Sequence, residues 1–205
     1  LSKCRIITKN EAGKIIKVVR QIAPRHTFIV GFHEWNGRKQ MIESQPFEDS
    51  NIIYTFHYYD PFVFTHQGAS WVGFGVQDLR NIPFPANGKE NKTPDGSKGS
   101  WVEGNINAYA EDSKAEKMFA DLKAAKDWSI KNKVPIFLGE FGSFGQFSTI
   151  EDRCRHAETV YSALGKLGIP NAWWEWDQGF TMFKPGTTSI SECMQKAIDS
   201  YYTKK

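Results

Sequence analysis

A single carboxylate, Glu140, follows a short apolar run and has a glycine on either side. The run, residues 136–138, is too short for a helix and predicts a buried parallel strand. Gly139 and Gly142 let the backbone turn sharply and let a ligand approach the carboxylate. Glu140 is therefore a candidate for carboxylate chemistry on a bound ligand. The alternative is an exposed glutamate in a strand-to-helix turn.

Three other apolar runs also end in polar or aromatic residues. The four runs are residues 27–32, 51–56, 135–138 and 172–174. The residues that follow them are His33, Glu34, Trp35 and Asn36; His57, Tyr58, Tyr59 and Asp60; Glu140; and Glu175, Trp176 and Asp177. Parallel strands gather their carboxyl ends at one edge, in barrels and in open α/β sheets alike. These side chains therefore form a candidate site.

Helices are predicted between the strands. The spacing Ser/Thr-x-x-Glu, typical of a capping box at a helix start, occurs at Thr8/Glu11, Ser113/Glu116, Ser148/Glu151 and Ser189/Glu192. In the first helix Ile15, Val18, Val19 and Ile22 recur at helical spacing, and Pro24 ends the pattern. Alternating helices and strands predict an α/β fold with a parallel sheet, as one domain over residues 1–205. Residues 60–111, without periodicity, are predicted to form a long loop over the site.

Composition limits the partners. A chain of 205 residues with 40% hydrophobic residues builds one substantial core, and no apolar run approaches the roughly 20 residues that cross a bilayer. A net charge of +3 on scattered lysines argues against a nucleic-acid partner. The aromatic content of 14%, with seven tryptophans, suits carbohydrate binding, although tryptophan is more often part of a core. No cluster has metal-ligand spacing, so we expect no metal and no other cofactor.

The three cysteines and the first residues of the chain suggest a possible disulfide and a processed amino terminus. Cys154 and Cys193 lie in two successive predicted helices, so a disulfide between them is conceivable and would leave Cys4 over. The chain starts without Met and without a signal-peptide pattern, which we interpret as a mature, trimmed or truncated product.

Four segments together resemble the cellulase-type glycoside hydrolases of family 5. They are residues 56–62 (Phe-His-Tyr-Tyr-Asp-Pro-Phe), 64–71, 137–142 and 173–176, and the likeness runs in order over almost the whole chain. Members of that family are (β/α)8 TIM barrels that cleave β-1,4-glucans with retention of configuration. The resemblance implies half of such a barrel, strands five to eight with their helices. It also implies an endo-β-1,4-glucanase that is secreted or periplasmic and binds β-glucan oligosaccharide or polysaccharide.

The resemblance implies a role for each candidate residue. Glu140, ending the seventh barrel strand, is similar to the nucleophile that forms the glycosyl-enzyme intermediate. His57 and Tyr59, on the sixth strand, would line the subsite beside the cut, and the tyrosine hydroxyl would keep the nucleophile ionised. The implied substrate-binding residues are Trp174, Trp35, Asn36, Glu34, Glu175 and His66.

One part of the family pattern is not found in these 205 residues. In the family the proton-donating glutamate lies in an Asn-Glu-Pro motif after the fourth strand, whereas Asn10-Glu11-Ala12 falls at a predicted helix start. Retaining hydrolysis needs two carboxyl groups about 5–5.5 Å apart. Alternative acids are Glu34, Glu175, Asp60 and Asp177, each better interpreted as a substrate hydrogen-bonder or a solvated loop charge. We therefore expect weak or absent activity.

A four-stranded half-barrel would have two bare sheet edges and an apolar inner face, which favour association. We expect two copies to pair into a homodimer. Two functions stay open: an endoglucanase that uses Glu140, and a noncatalytic, self-associating half-barrel that binds β-glucan.

Overall fold

The computed structural model describes residues 2–184 and 186–203, with backbone alone for residues 2–9. The strands are β1 Phe28–Val30, β2 Ile52–Tyr58, β3 Ile136–Phe141 and β4 Asn171–Trp173. The helices are α1 Ser2–Ile22, α2 His33–Asn36, α3 Arg38–Ile42, α4 Phe62–Thr65, α5 Trp101–Asp112, α6 Ala115–Asn132, α7 Ile150–Leu167 and α8 Glu192–Asp199. Two 3-10 turns lie at Val76–Asp78 and Asp95–Ser97.

The four strands form one parallel sheet in the order β1-β2-β3-β4. In the register between the first two strands, Phe28 pairs with Ile52 and Val30 with Tyr54. The predicted α/β class, the parallel sheet and all four strand positions are confirmed. Each strand follows the one before it in both sequence and space, as right-handed crossovers through helices produce.

Backbone packing divides the chain into two compact units. The first contains the segment up to Tyr58 together with Lys123–Glu140 and Ile169–Ala172. The second contains Tyr59–Leu122, Phe141–Gly168 and the segment from Trp173 onward. A single domain over residues 1–205 stays a prediction.

Strand β2 organises the first unit because its side chains alternate between two environments. Ile52, Tyr54, Phe56 and Tyr58 are buried, whereas Ile53, Thr55 and His57 on the other face are half-buried. On the buried face, the Tyr54 ring lies 5.3 Å from that of Trp128 and 5.9 Å from that of Phe32. This aromatic cluster fixes the strand so that the carboxyl end carrying His57 is held in place.

Helix α1 has the predicted periodicity, but three of the four apolar residues that define it face solvent, and Val19 is half-buried. Ile15, Val18 and Ile22 are 62%, 58% and 82% exposed, and Ile29 on β1 is 62% exposed. Ile16 is buried. The first unit thus presents an apolar surface of four residues, which matters for association.

In the second unit, helix α7 packs an apolar face inward. Ala157, Val160, Tyr161 and Leu164 are buried. A disulfide joins Cys154 on this helix to Cys193 on α8. The conceivable pairing is therefore present; the side chain of Cys4 lies outside the described residues.

The predicted helix starts need correction. Helix α1 begins at Ser2, so Thr8/Glu11 lies inside it. Helix α7 is capped by Thr149, whose hydroxyl accepts from the amide of Asp152, and not by Ser148. Helix α8 is capped by Ser191. Where several hydroxyl residues are adjacent, the cap is the one whose extended backbone lets its oxygen reach the free amides of the first turn.

The predicted loop at residues 60–111 contains several regular elements. It contains α4, both 3-10 turns and the 12-residue helix α5. Gly104 lowers the helix propensity of α5, so this helix was not predicted from the sequence. However, Val102, Ile106 and Tyr109 recur at helical spacing and are buried. A position of this segment over the site stays a prediction.

Candidate active site

The candidate nucleophile and a histidine lie together at the carboxyl end of the sheet. Glu140 is on β3 and His57 is on β2, and His57 Nδ1 lies 3.3 Å from Glu140 Oε2. Both side chains are partly accessible, at 27% for Glu140 and 16% for His57. Gly139 permits this approach of the strands, because a Cβ there would lie 2.4 Å from Thr55 Oγ1.

Asn36 orients the histidine from the other side. Its Nδ2 lies 3.3 Å from His57 Nε2. Because an amide nitrogen can only donate, Nε2 must accept, and the proton of the neutral ring is then on Nδ1, facing the carboxylate. Burial lowers the pKa of His57, and the charge of Glu140 offsets this only in part. The histidine is therefore neutral at neutral pH, with its Nδ1–H directed at the Glu140 carboxylate.

The backbone that carries Asn36 is unusual. Glu34, Trp35 and Asn36 all have positive φ, at 54°, 52° and 57°. Three consecutive side-chain-bearing residues in the left-handed region are costly, and such conformations concentrate at functional sites. Gly31 is needed at the end of β1, because a Cβ there would lie 1.9 Å from Asn36 Oδ1. The glycine thus lets the Asn36 side chain fold back across the strand end toward His57.

The other two residues after β1 point elsewhere. Glu34 accepts a hydrogen bond from Gln40 Nε2 and lies 3.6 Å from His33 Nδ1. Trp35 is 89% exposed, so it presents an open aromatic face. Gln40 was not identified from the sequence as a partner of Glu34.

In the second unit Tyr59 and His66 lie in contact. Their ring centroids are 4.9 Å apart with planes at 80°, and both rings contact Phe180. His66 is buried, its Nδ1 lies 3.0 Å from Thr65 Oγ1, and burial lowers its pKa to about 3. His66 is therefore neutral and shielded, so its implied contact with substrate stays a prediction. Phe180 follows no periodic pattern, and nothing in the sequence indicated it.

Trp174 lies directly after β4. Its amide donates to Phe141 O at 2.9 Å, and its side chain is 42% exposed. Gly142 is required here, because a Cβ would lie 2.4 Å from Trp174 O. Glu175 is half-buried and Asp177 is exposed. In this segment the partly exposed indole ring of Trp174 is followed in the sequence by two carboxylates, Glu175 and Asp177.

Two classes of site have no support in the described part of the chain. Within residues 2–184 and 186–203, no three His, Cys, Asp or Glu side chains are grouped as metal ligands. No helix in those ranges combines the length and the apolar character that a membrane span needs.

The family is decided by a match that covers most of the sequence. The model for cellulase, glycosyl hydrolase family 5, matches residues 6–179. The chain belongs to glycosyl hydrolase family 5. The resemblance noted from the motifs is thereby confirmed.

The chain is also similar in sequence to individual endoglucanases. Endoglucanase 3 of Fibrobacter succinogenes is 31% identical over 193 residues, which are 91% of this chain and 29% of that protein. Endoglucanase C of Acetivibrio thermocellus is 28% identical over 86% of this chain and 51% of its own length.

Solved structures show the same partial correspondence. Endoglucanase Cel5A of Thermotoga maritima superposes with a TM-score of 0.68 at 29% identity, over 89% of this chain and 51% of that one. A structure of Cel5A in complex with cellobiose gives a TM-score of 0.67. The chain thus has the fold of about half of a family 5 TIM barrel and spans 29–51% of the length of these relatives.

Proposed function

We propose that this chain carries the nucleophile of a retaining β-1,4-glucanase. The observation that supports this is the Asn36–His57–Glu140 series, which fixes a neutral Nδ1–H donor on the carboxylate. In the first step a Glu140 oxygen attacks the anomeric carbon and the bond to the leaving sugar oxygen breaks. Water then hydrolyses the glycosyl-enzyme ester and regenerates the carboxylate.

The leaving oxygen of a natural glucan requires a proton. Among the alternative acids, the Glu34 carboxylate lies against Gln40 and His33. Loss of general acid catalysis typically costs a factor of roughly 10²–10⁴ in rate. We therefore expect the 205-residue chain to cleave cellulose slowly or not at all, while Glu140 keeps its nucleophilic role.

Substrate binding would use the flat faces of Trp35 and Trp174. They are 89% and 42% exposed, and aromatic faces suit the apolar C–H faces of β-linked glucose units. Tyr59, His66 and Glu175 stay predictions as sugar-contacting residues.

The test should separate the nucleophile from the proton donor. A 2,4-dinitrophenyl 2-deoxy-2-fluoro-β-cellobioside has a leaving group that departs without protonation, and its fluorine slows hydrolysis of the intermediate. Mass spectrometry should detect a fluorocellobiosyl adduct on the intact chain, mapped to the peptide that contains Glu140. Glu140→Gln should not be labelled, whereas the matched variant Glu175→Gln should be labelled. Labelling of Glu140→Gln, or of no protein at all, would remove this proposal.

Asn36 has its own expected effect. Asn36→Ala removes the donor to Nε2, so His57 is free to present either tautomer to the carboxylate. The rate of labelling should fall by about 10-fold or more, the size of a positioning effect on a single hydrogen bond. Asn36→Asp should fall similarly, because a carboxylate cannot donate and would move the proton to Nε2.

A second candidate is the noncatalytic, self-associating half-barrel that binds β-glucan. It is favoured by the exposed stripe of Ile15, Val18, Ile22 and Ile29, which a second copy would cover. Sedimentation equilibrium should show a homodimer for the wild type and a monomer for Val18→Glu. A folded wild-type monomer at micromolar concentration would contradict it, and absence of labelling together with saturable cellooligosaccharide binding would favour it over the enzyme.

We also propose that the chain works outside the cytoplasm, secreted or periplasmic. The Cys154–Cys193 disulfide supports this, because such bonds persist in oxidising compartments.

A further inference from the structure

A series of aromatic rings in the second unit leads from a buried candidate-site residue to solvent. The His66 ring stacks on Phe62 with centroids 4.0 Å apart and planes at 7°. Phe62 meets Trp101 at 5.1 Å, and Trp101 meets Phe74 at 6.1 Å. Exposure rises along the series, from 7% for His66 to 43% for Trp101 and 57% for Phe74. The outer two rings form a surface that is continuous with the candidate-site residue.

The backbone holds Phe74 in this exposed position. Phe74 has a φ of 53° and lies between Gly73 and Gly75, whose φ values of 79° and 76° are also positive. Its carbonyl oxygen accepts a hydrogen bond from Ser97 Oγ at 2.8 Å. A Cβ on Gly75 would lie 2.6 Å from the same Oγ, so the two loops pack closely. A large apolar side chain in the left-handed region costs free energy. Phe74 nevertheless keeps this conformation, which leaves its ring exposed to solvent.

Trp101 is also held in place by its position in a helix, and two charged residues near it, Lys98 and Glu103, have hydrogen-bonding partners. It is the first residue of α5, whose cap Ser100 accepts a hydrogen bond from the Val102 amide. Lys98 pairs with Asp95 at 2.6 Å, and Glu103 accepts from the Gly99 amide at 2.8 Å. An anionic polymer needs a local excess of cations, whereas a neutral polymer needs flat apolar faces and hydrogen-bonding groups.

Hydrogen-bonding groups are present beside the rings. The loops that hold Phe74 also line an open groove of about 550 Å³. Its lining includes two basic residues, Arg80 and Lys92, and two acidic ones, Asp78 and Asp95, so it has no excess of cations. Asn91 adds a neutral hydrogen-bonding residue. The planes of Phe74 and Trp101 lie at 68°, so each ring would contact the apolar C–H face of a different pyranose unit. The groove would accept the hydroxyl groups at the sugar edges.

We infer that Phe74 and Trp101 form an accessory binding surface for a β-linked glucan chain, separate from the sugar contacts of Trp35 and Trp174. The inference rests on the proposed function for the class of ligand, and on the fixed, exposed ring pair for the position. The surface would add affinity for long chains by holding a further stretch of the same polymer. Because the proposed sugar contacts at Trp35 and Trp174 do not include these rings, cellobiose binding there should not depend on them.

The test is native gel electrophoresis through gels that contain barley β-glucan, which retards a protein in proportion to its affinity. Phe74→Asn removes the ring with a residue that tolerates positive φ, and Trp101→Ala removes the indole. Ile130→Ala is the matched control, because it removes an apolar side chain that is 63% exposed in the first unit. Cellobiose binding, followed by isothermal titration calorimetry, measures the other sugar contacts separately.

We expect each ring variant to bind barley β-glucan about two- to tenfold more weakly, the range for loss of one aromatic stacking contact. Trp101→Phe should keep most of the affinity, and Ile130→Ala and cellobiose binding should be unchanged. Retarded wild-type protein with equally retarded Phe74→Asn would overturn the inference and leave the proposed function in place. Wild-type protein that neither gel nor calorimetry shows to bind would overturn glucan binding as a whole.

Discussion

Acid should destabilise this protein through a buried histidine on α7. His156 is fully buried, with its ring 5.4 Å from that of Phe64 and 5.1 Å from that of Phe84. Its Nε2 lies 3.2 Å from Asp60 O, to which the neutral ring donates. Burial, and to a smaller extent the charge of Arg153, lower the pKa of His156 to about 4 from an ordinary value of 6.5.

The sign follows from proton uptake by the two states. Between pH 6.5 and about pH 4 the unfolded chain binds a proton at His156 that the folded protein does not. The free energy of unfolding therefore falls as the pH falls through this window. The difference in pKa corresponds to about 3 kcal/mol once the pH is below both values. Above pH 6.5 this residue makes no pH-dependent contribution.

The matched variant is His156→Gln, whose amide can still donate to Asp60 O but does not titrate. Urea unfolding, followed by tryptophan fluorescence, should be measured from about pH 7.5 to pH 4. His66 titrates in both proteins and cancels in the difference between them. The wild type should lose about 3 kcal/mol more than His156→Gln over this range. Parallel stability curves for the two proteins would refute the reasoning.

Two further predictions concern covalent and steric constraints. Replacing Cys154 and Cys193 together by serine opens a loop of 39 residues and should lower the free energy of unfolding by about 4 kcal/mol, measured against wild type with and without reductant. If reductant changed the double variant as much as the wild type, the loss would not come from the disulfide. Gly142→Ala should cost about 1–3 kcal/mol, because the new Cβ meets the backbone oxygen of Trp174. Gly104→Ala, with open space in α5, should instead stabilise by about 0.5–1 kcal/mol, and equal thermal shifts for the two variants would contradict this contrast.

Local patterns in the sequence predicted much of the fold. The apolar runs mark all four strands, and helical periodicity marks the buried face of α7. Glu140 could be selected in the same way, because its position after a short apolar run depends only on neighbouring residues. Helix boundaries were less predictable, since adjacent hydroxyl residues compete for the cap and backbone geometry chooses Thr149 and Ser191.

The sequence by itself therefore determined the class of fold and the family, and it predicted Glu140 as the functional carboxylate. Only the tertiary structure decided how the carboxylate is held. The Asn36 side chain lies back across Gly31 and reaches His57. This path depends on three consecutive residues with left-handed backbone, an unfavourable conformation that local propensities do not predict. Equally, a stripe such as Ile15, Val18 and Ile22 reads as a buried face in any sequence. Its exposure follows from which other elements are present to cover it, because periodicity specifies which residues share a face and packing specifies what that face meets.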